Sequence, residues 1–333
     1  MSTFRPAVLG IALLVCCVVA GCGSSSSSAP SSGASAGDGQ WSYVSGDGKT
    51  YTAPETPKRI VAHAYAAAAL MEFGIKPVGV YADGPVKDDV GLKGVDFSGV
   101  EILGQTWGEI DVEKAATLRP DLIVGDWWPV EKAYSGMEAG VKERSKKIAD
   151  LAQVVGPSVG DSAVELVEGY EELARTLGGD TSAGGSRAEF ERAVERFEAA
   201  VAGQEGLTAL AISPFGQDYA VAVPKHAPEL LDFQRWGLDV MVPRRPDPEF
   251  PYWQTLSFEQ VDTYQADLLL FDDRNYPGNL KVLEKAPTAD RIKAFAAGAY
   301  TTWPAYWLHR YSDYADELNR LAEVIEGADP GVA

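Results

Sequence analysis

The sequence predicts an α/β fold built as two related lobes, and three observations carry that expectation. From residue 59 onward, short apolar runs alternate with stretches patterned as helices, the sign of α/β architecture. After Gly203 the same alternation resumes. Finally, residues 113–124 (EKAATLRPDLIV) parallel residues 259–270 (EQVDTYQADLLL): each begins with Glu, has Thr four residues on and Asp-Leu eight residues on, and each reads as a helix leading into a buried strand.

Taken in order, residues 59–62 (RIVA) read as a strand after Pro57, residues 66–73 as a helix stopped at Gly74, and residues 77–81 (PVGVY) as the next strand. Residues 101–103 form a third short strand. Residues 112–118 form a helix stopped by Pro120, ahead of the buried strand 122–124 (LIV). A helix over 142–152 leads to Val154-Val155. Two amphipathic helices follow. In 162–177, Val164, Val167, Tyr170, Leu173 and Leu177 share a stripe. In the second, Ser186 and Glu189 form a capping box, and Phe190, Val194, Phe197 and Val201 line one face of a helix over about 187–202, consistent with a 3.6-residue period. The second half offers strands at 207–212, 220–223 and 268–271, helices at 230–236, 281–284 and 291–296, and a closing amphipathic helix at 311–325 that Trp307 opens.

The amino terminus is an export signal. Arg5 precedes an uncharged apolar run from Ala7 to Ala20, too short for a membrane span but suited to a signal-peptide core. The run ends in Val19-Ala20-Gly21-Cys22, which resembles the lipobox of bacterial lipoproteins. That resemblance implies that residues 1–21 are cleaved off and that Cys22 carries the lipid. Residues 22–40, rich in Gly, Ser and Ala, then serve as a flexible tether. Cys16 and Cys17 leave with the leader, so the mature domain has no cysteine for a disulfide, a thiolate metal site or a nucleophile. Without Arg5, 28 basic residues face 48 acidic ones, a net charge of −20. Nucleic acid and anionic lipid headgroups are excluded as partners by repulsion.

Several stretches in a fixed order resemble the substrate-binding proteins of iron-siderophore and vitamin B12 ABC importers. They are Pro57-Lys58-Arg59-Ile60-Val61, residues 70–80 (LMEFGIKPVGV), Gly104 ahead of Asp111-Val112-Glu113-Lys114, and residues 119–124 (RPDLIV). Later come residues 256–260 (LSFEQ) and 266–270 (ADLLL). The resemblance covers about 57–326. It implies two Rossmann-like lobes, here 41–185 and 204–333, joined by one long rigid helix at 186–203, with the ligand held between them. It further implies a lipid-anchored monomer on the outer face of the cytoplasmic membrane that captures an iron(III)-siderophore complex and delivers it to an ABC importer permease. A haem or cobalamin binder is the alternative within the family; a secreted enzyme or cell-surface binding module is the alternative outside it. In the family, a carboxylate at the exposed end of each lobe docks on the permease. The matching positions are Glu113 and Glu259.

Candidate ligand-binding residues follow from where α/β folds place ligands, beyond the carboxyl ends of strands. His63 and Tyr65 follow the first strand, Trp127 and Trp128 follow the strand ending at Val124, and Trp107 sits in another loop of that edge. Adjacent aromatics make a flat apolar wall for a large ligand. From the second lobe, Trp303 extends that wall. Arg244, Arg245 and Arg274 can bind oxygen acceptors bidentately, while Tyr219, Tyr252 and Tyr276 supply hydroxyls. Three widely spaced histidines, His63, His226 and His309, do not make a metal site, and no cofactor is expected beyond iron carried in by a siderophore. No catalytic signature is present: the G-x-S-x-G string at residues 33–37 (GASAG) lies in the Gly/Ser-rich tether and not at a strand-to-helix elbow, and the mature chain lacks an H-E-x-x-H helix and a Gly-rich phosphate loop. A non-enzymatic role follows.

The leader generates one prediction. The Cys22→Ala variant should accumulate uncleaved and unlipidated, seen as a larger species on a gel and as absence of acyl label; processing of that variant ahead of residue 22 would disprove the lipobox.

Overall fold

A computed structural model describes residues 40–182 and 185–333; the leader, Cys22 and the tether up to residue 39 lie outside the described residues. The chain opens with an antiparallel hairpin, β1 (Trp41–Val44) and β2 (Thr50–Ala53). The first lobe continues through β3 (Ile60–His63), α1 (Ala64–Glu72), β4 (Gly79–Ala82), β5 (Glu101–Gln105), α2 (Val112–Thr117) and β6 (Leu122–Val124). A two-residue pair, β7 (Trp127–Trp128) and β8 (Ala133–Tyr134), precedes α3 (Glu143–Lys146), β9 (Val154–Val155) and α4 (Ala163–Thr176). The long α5 (Gly185–Ala202) leads into β10 (Thr208–Phe215), β11 (Asp218–Ala222), α6 (Pro228–Arg235), β12 (Asp239–Val240) and β13 (Trp253–Ser257). The chain ends with β14 (Leu268–Asp272), α7 (Gly278–Glu284), α8 (Lys293–Ala296), β15 (Tyr300–Trp303) and α9 (Tyr311–Glu326).

Each lobe is built on one sheet. The first is wholly parallel, in the order β5-β4-β3-β6-β9. The second runs β13-β11-β10-β14-β15, with β12 beside the start of β10. Strands β3, β6 and β14 are buried along their whole length, which explains their unbroken apolar sequences, because helices cover both faces of a parallel sheet. Alternate residues enter opposite cores. Ile60, Leu122 and Val124 face one cluster, Val61 and Ile123 the other; likewise Leu268 and Leu270 oppose Leu269 and Phe271.

The sequence repeat has a structural meaning. In the first lobe the Asp121 carboxylate accepts the N–H of Lys58 at 3.0 Å and of Arg59 at 2.8 Å, at the start of β3. In the second lobe Asp267 accepts the N–H of Thr208 at 2.9 Å, at the start of β10. Both aspartates therefore fasten the head of the neighbouring parallel strand, and β3-β6-β9 corresponds to β10-β14-β15. Beyond that shared half the lobes diverge: β4 and β5 are parallel to β3, whereas β11 is antiparallel to both of its neighbours, β10 and β13.

Several elements differ from the sequence reading. The helix expected over 142–152 is the four-residue α3 followed by a 3-10 segment, Lys147–Asp150. The second copy of the repeat is a 3-10 segment, Phe258–Thr263, and not an α-helix. Trp307 lies four residues ahead of Tyr311, the first residue of α9. Helix α5 begins at Gly185, so Ser186 stands inside its first turn and not at its cap.

Chain passage between the lobes uses two helices. Phe190, Ala193 and Phe197 of α5 belong to the second-lobe core, where α5 lies along α9. Helix α4 enters both cores: Ala163 and Val167 join the second, and Leu166, Tyr170, Leu173 and Ala174 the first. Its amino terminus is held from the other lobe as well. Asp232 of α6, fully buried, accepts the N–H of Ala163 at 2.8 Å and the Tyr314 hydroxyl at 2.8 Å.

Candidate functional site

A cleft of about 1180 Å³ opens where the carboxyl ends of both sheets meet, and strand order explains its position. In the first sheet the chain proceeds from β3 outward to β4 and β5 on one side, then returns to β6 on the other. The residues just after β3, β4 and β6 therefore converge at a topological switch point. They are Tyr65, Asp83 and Asp126, and His63 itself ends β3; all four line the cleft. Asp273 and Arg274 beyond β14, with Tyr306 beyond β15, line the opposite wall.

Asp126 lies at the junction of the lobes, 1% exposed. It accepts the Tyr170 hydroxyl from α4 and, through both carboxylate oxygens, the His309 Nε2–H from the second lobe at 3.1 Å. Burial alone would raise the Asp126 pKa, but the His309 ring and the Tyr170 hydroxyl hold it below the ordinary carboxylate value. His63 sits beside it, 4% exposed, with its Nε2 3.5 Å from the Asp83 carboxylate. Burial would lower its pKa; the Asp83 charge overrides this and raises it to about 9. Both ring nitrogens of His63 lack hydrogen-bond partners. On the opposite wall, Arg274 makes a bidentate pair with Asp272 at 3.0 and 2.7 Å. Its guanidinium lies 5.0 Å from the Tyr306 ring centroid, a cation–π arrangement. Tyr306 adopts a left-handed backbone, φ 64°, and its buried hydroxyl has no partner. Asp273 accepts the Trp307 indole N–H at 2.9 Å, and burial raises its pKa to about 7.

Of the candidates from sequence, His63, Tyr65, Trp107, Trp128, Tyr252, Arg274 and Tyr276 line the cleft. Five others do not, each for a definable reason. Trp127 and Trp128 are consecutive in a strand, so their side chains point to opposite sides: Trp128 faces Tyr252 and Tyr306 across the cleft, while Trp127 packs 5.0 Å from Tyr134 in the first-lobe core. Trp303 ends a strand not foreseen in the sequence, and its side chain is fully buried in the second core. Tyr219 is buried in β11, stacked on Phe258, with its hydroxyl donating to the Gln260 carbonyl at 3.2 Å. Arg244 and Arg245 are exposed and stand outside the cleft, with their backbone N–H groups donating to Tyr264 and Gln254.

Residues that the sequence did not single out complete the walls. Phe250 is half-exposed and Trp253 is buried beneath the surface, both lining the cleft. With Trp107 and Tyr276, Phe250 gives the rim exposed apolar side chains from both lobes. Among the described residues, no group of three His, Cys, Asp or Glu side chains has an arrangement that could hold a bare metal ion.

The cleft thus offers aromatic walls and buried polar groups without hydrogen-bond partners. Residues 101–306, more than half of the chain, match the family described as periplasmic binding protein. The chain belongs to the periplasmic binding protein family. Members are substrate receptors that work outside the cytoplasmic membrane. This periplasmic binding protein has no described helix long and apolar enough to cross a membrane. It is 27% identical over 199 residues to the Fe(3+)-citrate-binding protein YfmC of Bacillus subtilis, a match spanning 58% of this chain and 57% of that relative's length. Its structure is similar to that of DesE, a ferric-siderophore receptor protein from Streptomyces coelicolor, with TM-score 0.77 and 29% identity over 87% of this chain and 99% of that one. FhuD2 from Staphylococcus aureus shares the fold at TM-score 0.55 and 19% identity, covering 81% of this chain and 98% of that one.

The buried carboxylate at the junction yields a prediction with a definite sign. Because the Asp126 pKa is depressed on folding, its stabilisation is present above about pH 3.9, the unfolded value, and is lost as pH falls through the folded value. Asp126→Ala should cost about 3–5 kcal/mol at pH 7, as removal of one partner of a buried pair does, and should flatten the acid limb of urea midpoint against pH. An unchanged acid limb would show that Asp126 does not carry this linkage.

Proposed function

We propose that this chain is a lipid-anchored extracytoplasmic receptor that binds an iron(III)-siderophore complex in the interlobe cleft and delivers it to an ABC importer. The observation that carries the reading is the cleft itself: about 1180 Å³, walled by aromatic rings of both lobes, in a chain 29% identical to a ferric-siderophore receptor over 87% of its length. Ordinary small-molecule sites occupy roughly 300–1,000 Å³, so this one suits a bulky chelate. A siderophore supplies all of the iron ligands, and the protein's task is to hold the outside of the complex. Trp128 and Tyr252 offer flat surfaces for that purpose, and the His63 ring and Tyr306 hydroxyl offer donors to the chelate's oxygens. The similarity to a ferric-citrate-binding protein supports iron chelates as the ligand class.

Delivery rests on Glu113 and Glu259. Both are exposed. Glu113 lies in the first turn of α2 after the Asp111 cap, and Glu259 in the first turn of the 3-10 segment capped by Ser257. Corresponding positions on two related lobes present two carboxylates to a permease. Helix-dipole stabilisation alone would account for each at about 0.3–1 kcal/mol, and it predicts no effect on uptake.

Two measurements test the reading. Titration with ferric hydroxamates should quench tryptophan fluorescence saturably, and Trp128→Ala should weaken binding by about 2 kcal/mol or more, roughly thirtyfold, without unfolding the protein. Failure of every ferric siderophore to bind would overturn the ligand class. Separately, Glu113→Lys with Glu259→Lys should abolish uptake in cells while affinity in solution is kept, since two attractive contacts become repulsive; normal uptake would refute the docking role.

A further inference from the structure

The cleft carries far more negative charge than its basic groups balance. We infer that it selects ferric complexes of net positive charge, seating a protonated amine of the chelator among carboxylates contributed by both lobes. The inference rests on the ferric-siderophore reading and adds the charge class of the ligand to it.

Nine carboxylate side chains line the cleft, against two arginines and one histidine. Each of those cations is already engaged. Arg274 is paired with Asp272, Arg320 with Glu317, and His63 with Asp83. Asp126 is satisfied by His309, and Asp89 accepts the Tyr65 hydroxyl and the Gly91 N–H. Among the described residues, no ion pair engages Asp88, Glu131, Glu138 or Glu249. These four approach from opposite sides: Asp88 follows β4, Glu131 and Glu138 flank β8, and Glu249 precedes β13. The excess is therefore local to the opening between the lobes, and the surrounding surface of net charge −20 after leader removal reinforces it at long range.

Two unpartnered buried groups show that the site is built for a ligand of this polarity. His63, 4% exposed and lining the cleft, stands 3.5 Å from the Asp83 carboxylate as an ion pair, yet neither ring nitrogen makes a hydrogen bond. Buried polar groups are almost always hydrogen-bonded, so an oxygen of the ligand completes it, which sets the oxygen-rich face of a chelate deep in the cleft. Glu138 has the reverse deficiency: its Oε2 is buried without a donor. A ligand N–H, and best an ammonium, completes that group. A hydroxamate chelate with a pendant protonated amine presents both features. Ferric citrate and ferric triscatecholates are anionic, so each would set like charge against four unpaired carboxylates.

The test compares three iron complexes on the purified processed chain: ferrioxamine B, whose free amine makes it cationic; its N-acetylated derivative, which is neutral; and ferric citrate. The cationic complex should bind roughly tenfold or more tightly than the neutral one, a single favourable charge contact. Its affinity should fall as salt is raised, because partly exposed charges are screened over a Debye length of about 8 Å at physiological ionic strength. In the folded variant Glu131→Gln/Glu138→Gln/Glu249→Gln, the ratio between the cationic and neutral complexes should approach one. Equal affinities for those two complexes in the unaltered protein, a ratio unchanged in the variant, or tighter binding of ferric citrate would overturn the charge selection and leave the receptor role standing. Failure of all ferric complexes to bind would overturn both.

Discussion

The position of the cleft depends on one buried carboxylate. Asp126 leaves β6 at the switch point of the first sheet and is removed from water with three hydrogen-bonding groups around it: Ser135 of its own lobe, Tyr170 of the helix shared by the lobes, and His309 of the second lobe. An ionised carboxylate in such surroundings is tolerated only while its partners stay in place. The geometry of one lobe is thereby tied to that of the other at the base of the ligand site. A second carboxylate, Asp232, does the same from the opposite direction by accepting the first N–H groups of α4. Close packing completes the junction. Gly91 of the first lobe lies so near the Trp307 ring that a Cβ there would come within 2.9 Å of it.

Much of the fold was legible because its central strands are covered on both faces. Continuous apolar runs such as LIV at β6 and LLLF in β14 admit few other readings. Helices α4, α5 and α9 were equally clear from their 3.6-residue stripes. Direction and partnership were less legible. The direction of β11 was overlooked although the two-residue Gly216-Gln217 connection from β10 is too short for a crossover, and the tetrapeptide YTTW of β15 lacks the apolar run that marked the other central strands. The opening hairpin was signalled, since Trp41 and Tyr43 alternate with polar residues ahead of a Gly-rich turn, but its proximity to the tether obscured it.

The site divides along the same line. Residues immediately beyond strand ends (His63, Tyr65, Trp128 and Arg274) were found because strand geometry fixes where such residues go. Trp303 was misplaced together with its unrecognised strand, and Trp127 because the two-residue strand that aims it at the core has no signature beyond the aromatic pair itself. Glu138, Tyr306 and Trp253 belong to the cleft only through long-range folding, and in a chain with 48 acidic residues no spacing marks one glutamate as special.

Helix α4 has a consequence for how the molecule comes apart. Its side chains fill both hydrophobic cores at once, so neither half can lose its structure without stripping apolar surface from the other. Two sheets of different topology are thus bound into a single cooperative unit, one that should melt in a single transition. A cut on either side of this helix would leave one half with an uncovered greasy face. The architecture looks like two domains, but the helix shared by both cores makes the whole molecule the expected unit of unfolding.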